Sequence, residues 1–157
     1  MKWTTLTFGD HEGETLPQAI ISDADWFFWA IDKGVFKGRL AAEARDLYRK
    51  ARAIKIPKRR PSRWLVEHCY EDNGRFLGLR LVKAKECSLL SSRNCRLPYL
   101  DLAFIRQRRT YDKKGCKYLL RDFRHYYFGE NKRITKGRVE AFFNDESNFV
   151  KRRRSRA

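Results

Sequence analysis

The charged side chains of this chain are segregated along its length, and the segregation limits what it can fold into. Residues 1–34 hold two basic residues, Lys2 and Lys33, against six acidic ones, Asp10, Glu12, Glu14, Asp23, Asp25 and Asp32, a net of −4. Residues 35–157 hold 34 basic against 13 acidic residues, a net of +21, which leaves +17 for the whole chain. A compact body with that surplus repels itself, and the surplus is normally tolerated when the working partner is a polyanion. Hydrophobic residues still make up 42 % of the 157 and aromatic ones 14 %, enough apolar material for a core, so a fully disordered chain is not expected. Composition also excludes collagen-like, coiled-coil and disulfide-framework classes.

The same reading bounds location and partners. No apolar run approaches the roughly 18 residues of a membrane span, the densest being Trp26 to Ile31. Asp10 and Glu12 arrive before a signal-peptide core forms. The four cysteines, Cys69, Cys87, Cys95 and Cys116, are few and irregularly spaced, which fits a reduced cytoplasmic setting. Zinc sites usually draw ligands in close pairs, and none occurs; Cys87 with Cys95 plus Cys116 or His125 is the one combination worth testing. No cofactor is expected.

The patterning predicts an α+β fold. Trp3 to Phe8 and Glu14 to Leu16 read as a β-hairpin around the turn Gly9–Gly13. Pro17 opens a short helix to Ile21; Asp23 caps a second through Ile31, with Gly34 as its stop. Arg39 to Ile54 is the clearest amphipathic helix. Two prolines and four basic residues within 55–61 mark an extended linker, which divides the chain into a hairpin–helix module (1–56), a basic linker (57–63), a basic α+β body (64–150) and a basic tail (151–157). Trp64 to Tyr70 and Phe76 to Val82 predict two strands joined through Asn73-Gly74. Ser88 to Arg96 reads as a polar loop, Tyr99 to Ile105 as a strand, and Arg106 to Arg109 as its basic end. Asp112 caps a helix from Lys113 to Phe128, Gly129 stops it, and Thr135 caps a last helix. A small, mostly antiparallel sheet with two packed C-terminal helices is the expected body, in one compact unit.

Phe8-Gly9, Gly13, Leu16 and then Asp25 with aromatic residues ending in Trp29 follow a recognisable order. Over roughly the first 36 residues this order resembles the exodeoxyribonuclease X-like C-terminal domain, a small module also found in short proteins of unknown function. The resemblance implies an auxiliary module of nucleic-acid enzymes and of small phage or plasmid proteins; it brings no nuclease active site with it. Where that family places Lys or Arg around the turn, this chain has Asp10, Glu12 and Glu14. A turn so charged repels phosphate, and is structural or meets a basic partner.

Two basic helix stripes recur at i, i+4 and i+7: Arg45, Arg49, Arg52 and Lys117, Arg121, Arg124. Each spans roughly 10 Å at 1.5 Å per residue, long enough to meet more than one phosphate. The linker (Lys55, Lys58, Arg59, Arg60, Arg63), the segments Arg106, Arg108, Arg109 and Lys132, Arg133, and the tail Lys151, Arg152, Arg153, Arg154 extend the candidate contact set. A single such stripe is usually a solvated face; it is the excess of +21 that argues for more. Arg predominates, and its planar fork fits phosphate and stacks on bases. Trp64, Tyr111, Tyr118 and Tyr126 lie among the charges, and rings there serve either the core or base stacking.

The expected function is therefore non-catalytic nucleic-acid binding, as an accessory of a phage, plasmid or DNA-processing system, with DNA or RNA as partner and no membrane. One alternative is a protein-interaction subunit or inhibitor of a nucleoprotein machine, docking through Trp26 and Trp29 in the acidic aromatic head. A second is a Mg²⁺-dependent nuclease using Asp10, Glu12, Glu14, Asp23 and Asp25. These carboxylates crowd a turn and a helix start, where Asp commonly caps backbone N–H groups.

Overall fold

The computed structural model describes residues 1–86, 94–129 and 132–151. Within them the chain is α+β, with six α-helices and two small antiparallel sheets. The N-terminal segment differs from the expected hairpin. It folds back with Leu6 N donating to Glu14 O at 2.8 Å and Gly13 N to Leu6 O at 2.9 Å, but the ladder is one bridge, Thr5↔Thr15, among the described residues, because the chain enters a helix at Leu16. The Gln18 side chain accepts from Thr15 N at 3.0 Å, a capping contact that competes with strand continuation. Helices α1 (Leu16–Ser22) and α2 (Ala24–Asp32) follow, α2 capped by the Asp23 carboxylate accepting from Trp26 N at 3.1 Å. Gly34, at φ +62°, closes it.

Helix α3 (Gly38–Ala51) ends three residues earlier than its periodicity predicts, and Ile54–Lys55 becomes strand β1. The linker is not extended throughout, since Pro61–Arg63 winds into a 3₁₀ turn. Strands β2 (Trp64–Tyr70) and β3 (Phe76–Lys83) form the expected hairpin, with Gly74 at φ +85° in its turn. Of Ser88 to Arg96, expected as a polar loop, 88–93 lie outside the described residues, and Cys95 and Arg96 open β4 (Cys95–Leu97), which pairs with β2 and makes the sheet order β3-β2-β4. Tyr99–Leu100 is the short strand β5, paired with β1.

The expected strand through Ile105 is instead broken after Leu100. Phe104–Arg108 is helix α4, so Arg106 and Arg108 are helical rather than at a strand end. The Asp101 carboxylate accepts from Ala103 N at 2.9 Å and turns the chain there. Helix α5 (Lys113–Phe128) starts at Asp112, whose carboxylate accepts from Gly115 N at 2.8 Å, and α6 (Lys136–Asn144) starts at Thr135.

Strand β3 is an edge, and α5 covers it with side chains rather than another strand. Asp112 accepts from Phe76 N at 2.7 Å and Asp122 from Leu79 N at 2.8 Å. Gly78 makes that approach possible, because a Cβ there meets Asp122 Oδ2 at 2.5 Å. Across the sheet, Arg80 of β3 and Arg96 of β4 flank Glu67 of β2 in register. Glu67 has no exposed surface because the two guanidinium side chains lie over it. Burial alone would raise its carboxyl pKa; hydrogen bonds and charge from Arg80, then Arg96, outweigh it and hold the group below its usual range.

One apolar cluster runs from Trp3 to Phe149. Its C-terminal corner is aromatic: Phe143 lies 5.1 Å from Phe142 and stacks on Phe149 at 5.9 Å, centroid to centroid. Lys50, 3 % exposed, donates to the Phe143 carbonyl at 2.8 Å, with its ammonium 2.8 Å from Asp46 and 2.9 Å from Glu146. Thus α3, α6 and the Glu146–Asn148 turn are locked together.

His68 of β2 faces the core, 1 % exposed, 5.0 Å from the Phe104 ring. Its Nδ1 has no hydrogen-bond partner among the described residues. Burial lowers its pKa from 6.5 to about 4; a backbone hydrogen bond at Cys95 opposes this and the Arg108 charge adds to it. Above pH 6.5 the ring is neutral in both states. As pH falls from 6.5 toward 4 the unfolded chain takes up a proton that the fold refuses. Stability is expected to drop through that window by up to about 3 kcal/mol. Thermal melts of wild type and His68→Gln across pH 4–7 check this, the variant lacking that part of the acid dependence.

Candidate nucleic-acid interface

The antiparallel register sets Trp64 opposite Lys83, at the open end of the β2–β3 hairpin. One step further, Ala84 N donates to Arg63 O at 2.8 Å, so the pairing continues past the strand ends. The 3₁₀ turn folds the preceding segment back, with Arg63 N donating to Arg60 O at 3.0 Å. Two basic stretches distant in sequence, 58–63 and 83–85, thereby meet at one mouth. They enclose a cleft of about 610 Å³ lined by Lys58, Arg59, Arg60, Arg63, Lys83 and Lys85, with Trp64 in its wall. No acidic side chain lines it among the described residues. All six cations are exposed, while Trp64 is half-buried against the core. The Lys58 ammonium sits 4.5 Å from the Trp64 ring centroid, a cation over an electron-rich face. Six like charges converging on a concave surface repel one another, and a polyanion entering there relieves that repulsion and releases counterions.

Of the predicted contact residues, Lys58, Arg59, Arg60 and Arg63 are brought together. Lys83 and Lys85 were not singled out by sequence; the signal for them is the hairpin register, which places the end of β3 beside the start of β2. The helix stripes are arranged differently. Arg45 is exposed, but Arg49 pairs with Asp46 at 2.9 Å and Glu146 at 3.2 Å. Arg52 pairs with Asp101 at 3.4 Å and donates to Tyr48 Oη at 2.9 Å. On α5, Lys117 is exposed, Arg121 bonds Asp122 at 3.0 Å and stacks on Tyr118, and Arg124 donates to Leu120 O at 3.3 Å. Arg106 joins Asp25 and Asp32, and Arg109 joins Asp25, so this basic segment binds α4 to α2. Arg108 lies over the Tyr70 and Phe104 rings at 4.5 Å each. Lys55 is half-buried in β1; Lys132, Arg133 and Lys151 are exposed. Arg152, Arg153 and Arg154, like Cys87, lie outside the described residues.

A second concavity, of about 460 Å³, has Phe8, Asp10, Asp23, Trp26 and Trp29 of the head in its wall, together with Arg109. Trp29 is 38 % exposed; Trp26 is half-buried, 4.7 Å from the His11 ring. Three of the head carboxylates hold the fold. Asp23 caps α2, buried Asp25 anchors Arg106 and Arg109, and Glu14 lies 2.8 Å from His11 Nδ1. Among the described residues no three His, Cys, Asp or Glu side chains group closely enough to hold a metal ion. Burial pushes the Cys69, Cys95 and Cys116 thiols up, the last to about 11. Among the described residues no helix is long and apolar enough to cross a membrane. No protein-family model, curated protein or solved structure matches the chain.

Proposed function

We propose that this protein is a non-catalytic nucleic-acid-binding accessory of a phage, plasmid or DNA-processing system, acting in the cytoplasm and holding DNA or RNA by its phosphate backbone. The observation that carries the reading is the cleft at Trp64: six exposed cations from two segments face one concavity, with no acidic residue in its lining among the described residues. The chain's net charge of +17 and the exposed Arg45, Lys117, Lys132 and Arg133 extend an attractive field around it. An accessory role agrees with what the resemblance read from the sequence of residues 1–36 implies, an auxiliary module of nucleic-acid enzymes.

Phosphate neutralisation fixes the expected salt dependence. If each of six cations meets one phosphate, the log–log slope of affinity against salt is about −4 on a single strand and about −5 on duplex B-DNA. Binding to a generic 25-mer then falls by about 300-fold or more between 50 and 200 mM salt. A flat dependence over that range overturns the reading.

A second reading rests on the exposed Trp29 in the concavity that Asp10, Asp23 and Arg109 line. There a basic protein partner would dock with an aromatic anchor at the centre. Partner binding that survives high salt and is lost in Trp29→Ala identifies it.

A further inference from the structure

We infer, resting on the reading above, that the cleft takes single-stranded nucleic acid, and that one unpaired base stacks on Trp64 in the place now held by the Lys58 ammonium. Three observations carry this. The first is shape. A duplex offers phosphates on a convex cylinder with its bases stacked inward, and is met by a helix or a strand ribbon laid in a groove. The helix stripes suited to that are partly tied down, Arg49 by Asp46 and Glu146, Arg52 by Asp101, and Arg121 by Asp122. The cations that converge are in a concavity of about 610 Å³. That size falls within the roughly 300–1,000 Å³ of pockets that enclose small molecules, and a nucleotide is a ligand of that class.

The second observation is the ring. Trp64 packs against the core while Lys58 covers it at 4.5 Å. A face that attracts an ammonium is electron-rich and reachable from the cleft, and every base has a π-face that stacks on such a ring. Lys58 is exposed and on a flexible four-carbon stem. One rotamer change clears the ring and carries the ammonium to the phosphate of the nucleotide that replaces it. The third is the chemistry of the wall. Among the described residues the wall holds, beyond the cations and Trp64, one further hydrogen-bonding side chain, the Ser62 hydroxyl; with the Arg and Lys donors engaged by phosphate, little is left to read a base edge. The cleft is therefore expected to hold single strands with little regard to sequence, and DNA and RNA share the feature it recognises.

The test uses the full chain and four probes at one salt concentration: (dT)₁₂, (rU)₁₂, a blunt 12-bp duplex, and polyphosphate, which carries charge without bases. Single strands are expected to bind at least about tenfold more tightly than the duplex at equal phosphate concentration. Because one stacked base contributes about 1–3 kcal/mol, Trp64→Leu, which keeps apolar packing without a ring, weakens single-strand binding by about 5- to 150-fold. It leaves polyphosphate binding within about twofold. Trp64→Phe retains most of the single-strand affinity but loses the fluorescence quench that a stacked base produces in wild type. A melting curve of each variant confirms that the fold is intact. The tighter of the two single strands names the preferred sugar. Equal binding of single strand and duplex, or an unchanged single-strand affinity in a folded Trp64→Leu, overturns the stacking inference and leaves backbone binding standing. No binding to any of the four probes overturns the proposed function itself.

Discussion

Phe143→Ala will lower the unfolding free energy by about 3–5 kcal/mol, the cost of emptying a fully buried aromatic site. Phe143 has no exposed surface, packs against both Phe142 and Phe149, and holds the carbonyl that accepts from buried Lys50. Its ring packs α6 against Phe149 and the C-terminal residues, and its backbone carbonyl, which the substitution keeps, ties α6 to α3. A domain of this size commonly has about 5–15 kcal/mol of stability to lose, so the variant sits near the edge of folding. At about 2–4 °C per kcal/mol, the melting temperature falls by roughly 10 °C. Trp29→Ala removes a ring that is 38 % exposed, and is expected to cost clearly less than Phe143→Ala. Differential scanning calorimetry of both variants checks this. A Phe143→Ala melt within 2 °C of wild type contradicts the single core that runs from Trp3 to Phe149.

The elements that could be read from sequence are those whose signals are local. Helix α5 has Asp112 at its start, a 3.6-residue apolar repeat and Gly129 at φ +88° after its end. The β2–β3 hairpin has alternating leucines and Asn73-Gly74. The elements misread are decided at a distance. Leu100, Leu102 and Phe104 alternate like a strand, yet Phe104–Arg108 is helical, held against α2 by Arg106 and Arg109 on Asp25. Trp3–Phe8 has strand-forming residues, but its partner segment enters α1 at Leu16, leaving one bridge. Strand β4 is three residues long, too short to carry a pattern, and exists because β2 pairs with it.

The candidate site divides in the same way. Lys58, Arg59, Arg60 and Arg63 were legible as a run of charge. Lys83 and Lys85 join them only through the hairpin register. The α3 stripe looked open on a helical wheel, but Glu146 and Asp101 arrive from remote parts of the chain and occupy Arg49 and Arg52. Charge counts gave the sign of the surface, and tertiary pairing with carboxylates decided that Arg49, Arg52, Arg106 and Arg109 brace the fold.

The largest functional effect is expected from neutralising one side of that cleft. In Lys58→Gln/Arg59→Gln/Arg60→Gln/Arg63→Gln, four of the six cations lose their charge while keeping hydrogen-bonding side chains of similar polarity. All four are exposed, and none of them lies in the apolar cluster, so stability is expected to change by less than about 1 kcal/mol. Each phosphate contact removed takes about 0.7 from the salt slope on a single strand. The variant's slope is therefore about −1, and its affinity at 50 mM salt is lower than that of wild type by about 100-fold or more. The loss is uniform across sequences, because phosphate contacts position a nucleic acid without reading it. The same number of changes made elsewhere, at Arg49, Arg52, Arg106 and Arg109, removes cations already paired with carboxylates. Those changes cost folding stability more than binding.

The most direct test is the salt slope itself, measured by anisotropy on one labelled 25-mer for wild type and for the four-site variant between 50 and 200 mM salt. A slope near −4 in wild type that becomes about −1 in the folded variant is the predicted result. Equal slopes in the two proteins would place the phosphate contacts elsewhere and contradict the cleft at Trp64 as the binding surface.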